Sequence, residues 1–157
     1  MKPANRIRTR ATPQKRHSGF MLLEVLIAIL IFAIGLLGII GLQAASIKEA
    51  AGAEYRSIAA LQANDVIGRM WASDRTAATL QANFASSSGP VYLNWLTAVN
   101  ASGLPGVTTT PPTITFTTVA GGGATPVSSS LATVTIFWQA PGDTVAHSYV
   151  ALAQLTN

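Results

Sequence analysis

Between Phe20 and Leu42 the chain runs for 23 residues with a single charged side chain, Glu24. As an α-helix, at about 1.5 Å rise per residue, such a run extends roughly 34 Å and matches the hydrocarbon core of a bilayer, about 30 Å thick. It therefore predicts a membrane-spanning helix. The carboxylate is the anomaly in it. Inside a span an ionised group costs about 2.5–3.5 kcal/mol on insertion scales, and such groups are ordinarily functional and paired.

The rest of the charge is unevenly placed. The formal net charge is +4, but six of the ten Lys and Arg residues (Lys2, Arg6, Arg8, Arg10, Lys15 and Arg16) precede Gly19. From Phe20 onward Lys48, Arg56, Arg69 and Arg75 stand against Glu24, Glu49, Glu54, Asp65, Asp74 and Asp143, a net charge of −2. No basic patch is left to neutralise phosphates, so no nucleic-acid partner is expected. A basic segment beside an apolar span stays cytoplasmic by the positive-inside rule, and the chain beyond the span should face outward. A nucleic-acid tail is the competing explanation of the basic start; its position directly before the span favours the topological one. Conventional signal cleavage is disfavoured. The apolar core exceeds the 7–15 residues usual for a secretory signal, holds a glutamate near its start, and leads into Gly41-Leu42-Gln43-Ala44-Ala45-Ser46 without a clear Ala-x-Ala site.

Past the span the helical pattern continues to about Ser73 and becomes amphipathic. Tyr55, Ala59, Ala63, Val66, Ile67 and Met70 fall within about 120° of arc and form a face that can bury. Lys48, Glu49, Glu54, Arg56, Asp65 and Arg69 occupy the remaining, solvated surface. The stretch Thr76–Pro90 ends in Ser86-Ser87-Ser88-Gly89-Pro90 and reads as a loop, with a short helix inside or after it. Tyr92, Trp95, Leu96 and Val99 then repeat at helical spacing and are expected in the core rather than as a ligand platform. Beyond Pro111-Pro112 alternation sets in, giving strands at Thr113–Val119, Leu131–Gln139 and His147–Leu155. A flexible connection over 120–130 joins the first two and a hairpin turn over 139–144 the last two. The expected fold class is α+β, a long N-terminal helix with a membrane-spanning first half and an amphipathic second half, packed on a small antiparallel sheet. The chain thus divides into four segments: residues 1–19, 20–42, 43–75 and a β-rich head over 76–157.

Chemistry-bearing residues are sparse. There is no cysteine, which excludes a disulfide scaffold, thiolate zinc sites and thiol nucleophiles. Gly121-Gly122-Gly123 lacks the lysine and following helix of a phosphate loop, and Asn100-Ala101-Ser102 is one short sequon match that carries no claim. His17 lies in the basic start, leaving His147 as the sole later histidine. One histidine makes no metal site, and Asp143, His147 and Ser148 sit too close in one hairpin to be expected as a triad. Neither a catalytic residue, a metal nor a cofactor is expected, and the chain does not read as an enzyme.

The string Ser18-Gly19-Phe20-Met21-Leu22-Leu23-Glu24-Val25-Leu26-Ile27-Ala28 resembles the class III signal of type IV prepilins. The resemblance implies that the leader, residues 1–19, is removed by prepilin peptidase between Gly19 and Phe20, and that the new Phe20 amine is methylated. It implies that Glu24, then the fifth residue, pairs with the amino terminus of a neighbouring subunit in the filament. Charge chemistry agrees, since a carboxylate in low dielectric is tolerable when matched by a nearby cation. Gly35, Gly38 and Gly41 weaken the helix by nearly 1 kcal/mol each relative to alanine. Pilins use such flexibility when packing, although many major pilins carry proline where this chain has Gly41; ordinary glycine tolerance in a membrane helix explains the same residues.

Leu22–Ala28, Gly35–Gln43 and Asp65-Val66-Ile67-Gly68-Arg69-Met70 are similar to the PilV group of minor pilins, the type IV pilus modification proteins. That implies a pilin-like protein of the inner membrane, N-terminus cytoplasmic and head periplasmic, which then enters the filament. Its partners would be prepilin peptidase, other minor and major pilins and the pilus assembly machinery, in a system serving twitching motility and cell adhesion. Many major pilins close their C-terminal region with a disulfide, which this chain cannot form. Two alternatives share parts of the pattern: a minor pseudopilin of type II secretion, and a single-pass anchor carrying a binding domain of the cell envelope.

Overall fold

A computed structural model describes residues 18–121 and 129–156; the basic leader up to His17 and the 122–128 part of the glycine-rich connection lie outside the described residues. The helix α1 covers Ser18–Trp71, 54 residues. No proline interrupts that range, so every interior N–H can serve the i−4 carbonyl. It starts slightly before the apolar run and stops slightly short of Ser73. At its end the Ser73 hydroxyl donates to the Met70 carbonyl at 2.9 Å, and the Ser73 amide donates to the same oxygen at 3.2 Å. Those bonds occupy a carbonyl that the terminating helix leaves free.

The chain divides into two compact units between Ser46 and Ile47. In the first, every described side chain from Gly19 to Ser46 is exposed. By length and composition this part of α1 suffices to cross a membrane.

The second unit has its own core. Ala59, Ala63, Val66 and Met70 of α1 are fully buried, with Tyr55, Ile58 and Ile67 packed at the margin. The helix α2, Ala77–Phe84, is the short helix expected inside or after the loop of Thr76–Pro90, and it takes up the first half of that stretch. Its sequence contributes only Leu80 and Phe84, one turn apart, and both are buried. Thr76 caps it by accepting the Thr79 amide at 3.4 Å, while the Asp74 carboxylate accepts the Thr76 amide at 3.0 Å and the Thr79 hydroxyl at 3.1 Å. These bonds, led by the Thr76 amide, hold the Asp74 carboxyl below its ordinary range. The helix α3, Pro90–Asn100, opens with proline in its first turn and buries Tyr92, Trp95 and Val99. Its aromatics are also anchored by polar bonds. Trp95 Nε1 donates to the Gln62 carbonyl of α1 at 3.0 Å, and Tyr92 Oη to the Pro112 carbonyl at 2.8 Å. Burial raises the Tyr92 phenol above its ordinary value.

Three strands, β1 (Thr113–Val119), β2 (Ser129–Trp138) and β3 (His147–Thr156), form an antiparallel sheet in the order β1-β2-β3. Register places Ile114 opposite Val134 and Phe116 opposite Ala132; on the other side Ile136 faces Tyr149 and Val134 faces Ala151. Ala132, Val134, Ile136 and Trp138 share the core face, as alternation along β2 requires. The opposite face carries Thr113, Thr115, Thr133 and Thr135, with Val150 and Leu152 beside them. The β2–β3 turn is made by Gly142, whose φ of +87° suits a residue without Cβ.

Gly89, between α2 and α3, is fixed by a close approach rather than by its backbone angles: a Cβ there would collide with the Asn83 carbonyl oxygen and lie 2.9 Å from the Phe84 nitrogen. Gly89→Ala should therefore destabilise the head by about 1–3 kcal/mol, the usual cost of overpacking. Urea unfolding of the full chain in detergent, followed by tryptophan fluorescence, should register this shift; an unchanged midpoint would contradict the packing of α2 against α3.

Candidate functional site

The residues expected to be processed and to assemble lie together at the start of α1. Gly19 and Phe20 are in its first turn, and Phe20 is 71% exposed. Glu24 lies four residues beyond Phe20, so their side chains project from the same face about 6 Å apart along the axis. Among the described residues Glu24 makes no ion pair. A chain beginning at Phe20 would place a cationic amine within one turn of this carboxylate, and would also bring Glu24 to the positive end of the helix dipole. Gly35, Gly38 and Gly41 lie within continuous helix, and nothing stands within 4 Å of where a Cβ would project from any of them. No packing within the described chain requires glycine at these positions.

A second constellation lies in the head, between α1 and the β2–β3 hairpin. Lys48 Nζ meets Asp143 Oδ1 at 2.8 Å, and His147 Nε2 meets Asp143 Oδ2 at 2.9 Å. One carboxylate, its side chain only 14% exposed, thus joins the helix to the hairpin. The bond from Lys48, then that from His147, holds the Asp143 carboxyl below its ordinary range, and the same contact raises the Lys48 amine. Trp138 stacks on the His147 ring with centroids 5.8 Å apart. These groups, with Glu49, Gly52 and Arg56, line an open cavity of about 380 Å³. Among the described residues no group of three potential metal ligands is present.

Lys48 is therefore more than part of a solvated surface. Its partner lies on the far side of the sequence, and only the hairpin brings the two together. Asp65 and Arg69 pair along the helix at 2.9 Å, as their i, i+4 spacing allows, and Arg69 also reaches Asn94 at 3.3 Å. Asp143 and His147 do meet, but Ser148 points to the opposite face of β3 from His147 and no hydrogen bond links them, so the three do not make a nucleophilic triad. The signal available in sequence was the i, i+4 spacing of Asp143 and His147 across a turn.

Residues 14–40 match the family described as "Prokaryotic N-terminal methylation motif". The match contains Gly19, Phe20 and Glu24 and extends to Ile40, supporting a type IV pilin-like protein that is processed by prepilin peptidase and assembles with pilins. No curated protein and no solved structure matches the chain.

The Asp143 junction gives the head a definite pH response. A carboxylate held below its ordinary value, 3.8, contributes its full stability above that value and loses it as pH falls through the lower value of the folded state. Lys48, raised from 10.5, contributes fully below that value and loses its share as pH rises through the higher one. Asp143→Asn should reduce the alkaline loss, leaving the part due to Tyr92 and to Glu49 beside Lys48, and reduce the acid loss, leaving the part due to Asp74. Fluorescence-monitored unfolding midpoints across the pH range should show both changes, and a profile unaltered by the substitution would contradict the junction.

Proposed function

We propose that this chain is a non-enzymatic minor pilin of the PilV type, acting in type IV pilus assembly. The observation that carries this reading is the clustering of Gly19, Phe20 and Glu24 in the opening turns of an apolar helix, inside a methylation motif. The continuation of that helix into a small α+β head supports it further. The precursor is held in the inner membrane with its basic end cytoplasmic and its head periplasmic. Prepilin peptidase cuts between Gly19 and Phe20 and methylates the Phe20 amine. The subunit then joins other minor and major pilins through the pilus assembly machinery, without a cofactor and without nucleic acid.

Glu24 is then the assembly carboxylate. Once α1 packs among other stems, the carboxylate offsets the amine of an adjacent subunit in a low-dielectric setting. Gly35, Gly38 and Gly41 give the stem local freedom to adjust as it leaves lipid for the filament, consistent with the absence of any contact within the described chain that requires glycine there.

Removing one partner of a buried pair leaves the other uncompensated, at about 3–5 kcal/mol. Glu24→Ala should accordingly lower recovery of the subunit in sheared pili by about two orders of magnitude or more. The head's unfolding midpoint should not move. Undiminished recovery would remove the proposed role of the carboxylate. Deletion of the gene should abolish twitching motility while leaving enzyme secretion intact; the opposite pattern would assign the chain to type II secretion.

A further inference from the structure

The two edges of the sheet differ. At β1 the outer edge is closed where it begins: the Ser86 amide donates to the Ile114 carbonyl at 3.2 Å, and the Ser86 hydroxyl both donates to that carbonyl at 3.1 Å and accepts the Ile114 amide at 3.2 Å. The neighbouring helix α2 packs on the same strand. At β3 no such closure exists among the described residues. Among the described residues, no backbone group of His147–Thr156 bonds to backbone outside the ladder with β2.

That open edge also lacks the features by which sheets ordinarily discourage a further strand, namely charge, proline, a bulge or a short length. Residues 147–156 include no Lys, Arg, Asp, Glu or Pro. The strand is ten residues long, and its pairing with β2 proceeds through ten consecutive positions without a bulge. On its outer face Val150 is 53% and Leu152 65% exposed.

We infer that the free edge of β3 pairs antiparallel with β3 of a second copy of this chain, joining two three-stranded sheets into one across a two-fold axis at Ala151. The sequence of the strand selects this partner and this register. In an isologous antiparallel pair, residues equidistant from the axis oppose one another. Centring on Ala151 sets Val150 against Leu152 of the second copy and Ser148 against Gln154, so apolar meets apolar and polar meets polar on the outer face. On the inner face Tyr149 opposes Ala153, a large side chain against a small one. Opposed residues have the same parity in this register, as required when the outward N–H and C=O groups of one strand answer those of the other. No like charges meet anywhere along the pair. Cross-strand contacts and the covering of two valines and two leucines supply the attraction.

This pairing does not depend on how the N-terminus is processed. The chain has no native cysteine to confuse a cross-linking test. Two differently tagged full-length forms, one Val150→Cys and one Leu152→Cys, should be co-expressed and oxidised in native membranes. Opposed Cα atoms about 4.5–5.5 Å apart fall in the range a disulfide needs. Val150 of one copy and Val150 of the other lie about 8 Å apart in this register, beyond that range. The mixed disulfide should therefore exceed the Val150→Cys homodimer about ten-fold, while Thr115→Cys with Thr117→Cys on β1 should give no comparable product. A second pair, Ser148→Cys with Gln154→Cys, should also cross-link and should lose its product when Val150→Lys and Leu152→Lys are added, with the fluorescence of the folded head preserved. Equal yields from the matched and mismatched pairs, equal cross-linking at β1, or an adduct whose mass is not that of two copies would overturn the inference.

Discussion

An apolar helix whose described side chains are all exposed from Gly19 to Ser46 governs this molecule. From Phe20 to Leu42 every side chain is exposed, although 22 of these 23 residues carry no charge. Burying a large aliphatic or aromatic side chain is worth about 1.5–3 kcal/mol, so leaving so many in water is untenable. Lipid, or the helices of other subunits, must take the place of a core. Glu24 adds the opposite demand, a carboxylate that either medium tolerates poorly unless a cation accompanies it. A bilayer satisfies the first demand, and a neighbouring amino terminus inside a bundle of like helices would satisfy both. The methylation motif spanning residues 14–40 fits that second environment, because the proposed cleavage between Gly19 and Phe20 would create an amine at the start of each such helix.

The head is organised on different terms. Its stability comes from a conventional core in which α1 supplies small residues, Ala59 and Ala63, and α3 and the sheet supply bulk through Trp95, Ile114 and Ile136. Polar bonds locate the pieces within that core: Trp95 to Gln62, Tyr92 to Pro112 and Ser86 to Ile114 each tie elements that are distant in sequence. Asp143 performs a similar task at the surface, holding the β2–β3 hairpin to Lys48. Because that lysine is well exposed, the link is open to screening by salt and serves position more than stability.

Much of this was legible in the sequence because periodicity is a local property. The α1 face through Ala59, Ala63, Val66 and Met70, the α3 face through Tyr92, Trp95 and Val99, and the alternation of Ala132, Val134, Ile136 and Trp138 each follow from the geometry of a single element. The helix α2 was poorly legible because only Leu80 and Phe84 mark its buried side, and its start depends on Thr76 and Asp74, residues equally at home in loops. Contacts made by tertiary folding left no trace in local pattern. Nothing near Lys48 announces Asp143, and nothing near Ser86 announces the edge of β1. At the helix start the situation is reversed: Gly19, Phe20 and Glu24 stood out in sequence, while among the described residues Glu24 has no ion-pair partner.

Assembly through Glu24 requires that the chain be cut ahead of its apolar helix, and intact-mass analysis of the protein recovered from native membranes tests this most directly. The expected species begins at Phe20 and bears one additional methyl group on its terminal amine. A chain still beginning at Met1, in cells whose prepilin peptidase is active, would contradict it.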